Sequence, residues 1–120
     1  MTPALEIIAY VHAGYFVLTG VWPLIHVRSF MAVTGPKVDV WLVRTVGVLI
    51  TVIGAVVGMA AWRGAITPET AVLAVGSAAA LAGVDVVYVA HRVIPRIYLV
   101  DAVAEGVLIA AWAVASFGRG

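Results

Sequence analysis

Between Glu6 and Arg28, and again between Arg44 and Arg63, the chain contains no Asp, Glu, Lys or Arg. Two further intervals, Glu69 to Arg92 and Arg96 to Arg119, are interrupted only by Asp85 in the first and by Asp101 and Glu105 in the second. With about 1.5 Å of rise per residue, a helix over any of these intervals would be about 28 to 35 Å long, which matches a hydrocarbon core about 30 Å thick. The residues are 64% hydrophobic and 11% charged, whereas a soluble domain carries about 25% charge. Such a chain cannot cover its own surface with polar groups, so lipid must be its solvent. The expected fold is all-α, a single four-helix transmembrane bundle with helices over roughly 5–27, 40–62, 69–91 and 96–117.

The connections and flanks agree with that division. "TGPK", "RGAITPE" and "RVIPR" carry turn chemistry between the spans. In "ITPE", Thr67 is placed to cap a helix whose first turn holds Pro68 and Glu69. The opening "MTPALE" has no basic residue before the first apolar run, unlike a cleavable leader, so the first segment is expected to be retained as a helix. Arg28, Lys37, Arg44, Arg92 and Arg96 flank two of the connections, against Arg63 and Arg119 on the other side. That bias predicts a multi-pass protein of the inner (plasma) membrane with those connections in the cytoplasm and both termini outside. A net charge of +1 without a basic tract argues against nucleic acid as a partner. Without cysteine there can be no disulfide, thiolate nucleophile or thiolate metal site.

In lipid, helices associate through close packing over small residues rather than through a hydrophobic drive. The second span offers Gly47, Thr51, Gly54 and Gly58 on one face, and the third offers Gly76, Ala79, Ala80 and Gly83. These faces are expected to cross each other, and a homodimer interface would use the same chemistry. A weak internal repeat relates "WLVRTVGVLITVIGAV" to "YLVDAVAEGVLIAAWAV". It would make the protein two helical hairpins of the same orientation, with Arg44 and Asp101 at matching positions.

Helical spacing sets Tyr98, Asp101, Glu105, Leu108 and Trp112 on one stripe of the fourth span, and Asp85, Tyr88 and Arg92 on one stripe of the third. The first span carries His12, Tyr15, Thr19, Trp22 and His26 on one face. Ionisable groups facing lipid are costly, so these stripes should face inward. Measured from the basic edge, Asp101 lies about 7 Å deep, Asp85 about 10 Å and Glu105 about 13 Å. Two readings compete. In the structural one, Arg44 and Asp101 form a buried ion pair and Asp85 pairs with Arg28, Arg92 or Arg96. In the functional one, Glu105 has no cation within reach and stays protonated, as general acids and proton relays do.

The histidines say less. His26 and His91 share a level at which a haem or metal could sit, but no metal-ligand spacing occurs within any one helix, and no cofactor is expected. His12 is expected to hydrogen-bond to a neighbouring helix. Trp22, Trp41, Trp62 and Tyr98 mark the interfaces. Pro23 should kink the first span beside Trp22 and open a gap against the fourth.

The stretches "LTGVWPLIHVRSFMAVTGPKVDVWLVRTVG" and "DVVYVAHRVIPRIYLVDAVAE" resemble a family of small, uncharacterised bacterial four-helix integral membrane proteins. That resemblance implies the span count and no activity. In size the chain is also similar to small multidrug-resistance transporters. Those carry an essential glutamate in the middle of the first helix, whereas Glu6 lies at its outer end.

Three functional expectations follow. One is a cavity for a lipophilic small molecule in the cytoplasmic half, with Glu105, Asp101 and Asp85 as acid/base groups and Trp22, His26, Arg44, Tyr88 and Tyr98 binding the ligand. The second is a proton-coupled transporter acting as a homodimer. The third is an accessory subunit of a larger membrane complex, surrounded by lipid and using its acids only structurally.

Overall fold

A computed structural model describes residues 3–35 and 39–117 and contains five helices, with no strand among the described residues. They are α1 (Pro3–Ile25), α2 (Val27–Thr34), α3 (Val40–Trp62), α4 (Pro68–Ala90) and α5 (Tyr98–Phe117). All but α2 are long and apolar enough to cross a membrane. Their ends fall within two residues of the expected 5–27, 40–62, 69–91 and 96–117. The fold is a four-helix transmembrane bundle with one short additional helix. Lys37 and Arg119, which entered the charge count, lie outside the described residues.

Local chemistry explains the ends. The Thr67 side chain accepts a hydrogen bond from the Thr70 amide at 3.3 Å, and Pro68 opens α4. At the end of α3, Gly64 takes the left-handed φ of 64°, and the Ala65 amide reaches back to the Ala60 carbonyl at 2.8 Å. Arg92, at φ 58°, stops α4 in the same way while the Val93 amide bonds the Tyr88 carbonyl at 2.8 Å. Arg92 therefore does not continue the stripe of Asp85 and Tyr88, because the helix has already ended.

The first span ends earlier than expected, and the reason lies in "WPLIHVRS". Pro23 remains inside α1 and is buried, and the chain breaks three residues later at His26. His26 caps α2: its Nδ1 accepts from the Ser29 amide at 3.1 Å, and the Ser29 hydroxyl donates to the His26 carbonyl at 3.0 Å. Trp22 Nε1 then donates to Ser29 Oγ at 2.8 Å and ties α2 back to α1. A segment expected to be a bare connection is thus a short amphipathic helix.

The bundle is two hairpins. α1 packs most extensively on α3 and α4 on α5, with α1 against α5 and α3 against α4 joining the pairs. The glycine face of α3 crosses α1 and not α4. A Cβ on Gly47 would lie 2.6 Å from the Gly20 carbonyl oxygen, and one on Gly54 would lie 2.9 Å from Phe16 Cβ. A Cβ added to Gly76 or Gly83 of α4 would meet nothing within 4 Å among the described residues, and Ala79 and Ala80 beside them are exposed. The expected α3–α4 crossing is therefore corrected. α1 supplies the matching small residue, Gly20, and takes that face.

The dense core sits toward the N-terminus of α1 and the C-termini of α3 and α5, around Leu5, Ile8, Phe16, Val57, Leu108 and Trp112. At its centre Trp112 Nε1 donates to His12 Nδ1 at 3.1 Å, with both side chains buried. That is the inter-helix bond expected of His12. The opposite, basic end is packed less densely, and the site is found there.

Candidate functional site

α5 presents Tyr98, Asp101 and Glu105 on one face, α4 contributes Asp85, and α1 contributes Tyr15, Thr19 and Trp22. Between them lies a cavity of about 630 Å³, walled on its remaining sides by Phe30 of α2, Val43, Val46 and Ile50 of α3, and Leu81 and Val84 of α4. A volume of this size lies within the range of about 300–1,000 Å³ usual for small-molecule sites. Val33 and Thr34 of α2 line the cavity as well.

Its polar groups are few and clustered. The Tyr15 hydroxyl donates to Asp101 Oδ1 at 2.5 Å. Asp85 of α4 and Asp101 of α5 line the same cavity. Asp85 is 5% exposed and its Oδ2 has no partner among the described residues. Glu105 is 0% exposed, and neither of its oxygens has one. Its position one turn deeper than Asp101 along α5 puts it beside the dense core, where the described residues provide no donor.

Of the residues singled out from sequence, Asp85, Asp101, Glu105, Trp22 and Tyr98 line the cavity. Arg44, Tyr88 and His26 are exposed and lie outside it. His26 is engaged in capping α2. Arg44 makes no ion pair with Asp101, whose partner is Tyr15. The glycine face of α3 accounts for this. Once Gly47 and Gly54 lie against α1, Val46 turns toward the cavity, and Arg44, two residues away at about 100° per residue, points about 160° from it. Arg44 and Asp101, matched in the internal repeat, thus face different surroundings. Arg44→Ala is accordingly expected to change stability in detergent by no more than about 0.5 kcal/mol. Thermal unfolding followed by circular dichroism checks this, and a loss of several kcal/mol would restore the clamp.

Sequence reasoning alone does not assign Tyr15 or the α2 wall to the site. Tyr15 is visible on the polar face of the first span, one turn from His12 and from Thr19. The wall is hidden because α2 reads as a connection. Among the described residues no group of three His, Cys, Asp or Glu side chains is arranged to hold a metal ion. Comparison of the chain with protein-family models, with curated proteins and with solved structures gave no match.

Proposed function

We propose that this is a small multi-pass protein of the bacterial inner membrane that binds a lipophilic small molecule between its two hairpins. Its acids then serve as the polar or acid/base part of that site. The observation that carries the reading is a cavity of about 630 Å³ with an almost wholly apolar wall into which Asp85, Asp101 and Glu105 converge. Burying carboxyl groups without partners costs stability, and such groups recur where a site needs them. In this reading Asp85 and Asp101 give or take a proton, and Tyr15 holds Asp101 in place. Glu105 is the second acid/base group, and Trp22 and Tyr98 position the ligand's apolar body. The basic end, marked by exposed Arg28, Arg44, Arg92 and Arg96, faces the cytoplasm, with both termini outside.

A homodimeric proton-coupled transporter is the second reading. It is supported by the outward-facing small residues Gly76, Ala79, Ala80 and Gly83 on α4, a surface suited to close helix contact.

Native mass spectrometry of the protein released from a mild detergent tests the first reading. The expected spectrum carries one small molecule per chain, and Leu81→Trp, which narrows the cavity, retains less of it. A bare wild-type chain, or a molecule retained equally by Leu81→Trp, would overturn the reading.

A further inference from the structure

The charges of the cavity point to the chemical class of its ligand. Every ionisable carboxyl or basic side chain among its described lining residues is an acid, namely Asp85, Asp101 and Glu105. The arginine expected there from sequence, Arg44, is exposed on the far flank of α3. Three ionised carboxylates in a low-dielectric site would repel one another strongly, so the cluster is satisfied only by protons or by a positively charged guest. A fatty acid or other anionic lipophile would meet like charge at all three acids and find no counter-ion among the described lining residues.

Hydrogen-bond chemistry narrows the choice further. Three oxygens of the cluster are buried without a donor among the described residues: Asp85 Oδ2, Glu105 Oε1 and Glu105 Oε2. All three are acceptors when ionised, so the missing partner is a donor. An ammonium group carries up to three N–H donors and no acceptor. Around the cluster, Phe16, Trp22, Phe30, Leu81 and Val84 offer a hydrocarbon and aromatic lining. Trp22 and Phe30 stand edge to face with centroids 5.4 Å apart and form part of that apolar lining.

We propose that the ligand is a lipophilic amine bound as its ammonium ion, with the N–H groups on Asp85 and Glu105 and the apolar body against α1, α2 and α4. This inference rests on the cavity being a small-molecule site. It adds the sign of the charge and the donor character of the head group.

Binding to the full chain in nanodiscs of zwitterionic phosphatidylcholine tests it, with three probes of equal chain length: dodecylamine, dodecanol and laurate. Radiolabelled dodecylamine is titrated against protein-containing and protein-free discs, and the other two are added as competitors. The expected result is saturable binding of one dodecylamine per chain, displaced by neither dodecanol nor laurate. Asp85→Asn and Glu105→Gln should each weaken it about tenfold or more, as loss of a charge-assisted hydrogen bond does. Displacement by laurate or dodecanol as effective as by dodecylamine itself would overturn the amine class and leave the cavity reading standing. Binding of dodecylamine unchanged in both variants would do the same. No saturable binding of any probe, together with a bare wild-type chain in the mass spectrum, would overturn both. Should either variant fail to fold, the competition among the three probes on the wild-type chain still decides.

Discussion

Alanine at Gly47 is expected to destabilise the bundle by about 1 to 3 kcal/mol, the usual effect of forcing an extra methyl into a packed contact. The added Cβ would lie 2.6 Å from the carbonyl oxygen of Gly20 and 3.3 Å from Pro23 Cγ. The nearer of these is backbone, so no side-chain rotation can relieve it, and α1 and α3 must move apart. Gly20→Ala should act in the same direction, since its Cβ would meet the Gly47 carbonyl oxygen at 2.7 Å. Alanine at Gly76 or Gly83 is the control. With nothing near the new methyl among the described residues, the change should be neutral or should gain up to about 1 kcal/mol of helix propensity. Unfolding in detergent with increasing sodium dodecyl sulfate, read by circular dichroism, measures all four. Equal losses at Gly47 and Gly76 would mean that α4 makes a close helix contact through that face, with α3 or with a second copy of the chain.

Glu105→Leu should move stability the other way and bring binding to an end. Glu105 is fully buried with both oxygens unpartnered among the described residues. Leucine has a similar volume and no polar group to desolvate. Removing an unsatisfied buried group is worth about 1 to 3 kcal/mol, so the variant should resist the same unfolding assay better than the wild type. Retention of the small molecule in the mass spectrum should be lost in the same protein. A glutamate kept to hold helices together would show the opposite pair of results. If Glu105→Leu unfolds the bundle, Glu105 is serving the fold, and the site reading loses its deepest member.

Much of this is legible in the sequence, and the reasons differ by feature. The spans follow from charge alone, because a charged side chain inside hydrocarbon is costly enough to mark the boundaries. The cap at Thr67 follows from its residue type just before Pro68. The convergence of Asp85, Asp101 and Glu105 follows from spacing and depth, since helices at one level in a small bundle have few other directions in which to place a carboxyl group. The partner of the α3 glycines does not follow. Small residues announce a close approach without naming the helix that approaches, and both α1 and α4 carry suitable glycines. The position of Arg44 is hidden for the same reason, because the face it occupies is set by that pairing. α2 escapes a rule based on unbroken apolar length, which passes over an eight-residue helix. His26 reads as an interfacial residue or ligand, and its role is to cap.

Two long-range side-chain bonds among the described residues have a consequence for how the chain is made. His12 is bonded to Trp112, 100 residues later, and Tyr15 to Asp101, 86 residues later. Both partners sit on α5, the final described helix to leave a ribosome. Until α5 arrives, α1 must wait in the bilayer with a histidine and a tyrosine unpaired, and α4 with Asp85 lacking its neighbour. A nascent chain at that stage displays the intramembrane polar groups by which unassembled membrane proteins can be told from finished ones. Arrival of α5 pairs the histidine and the tyrosine of α1 in one step, so these two groups are concealed together.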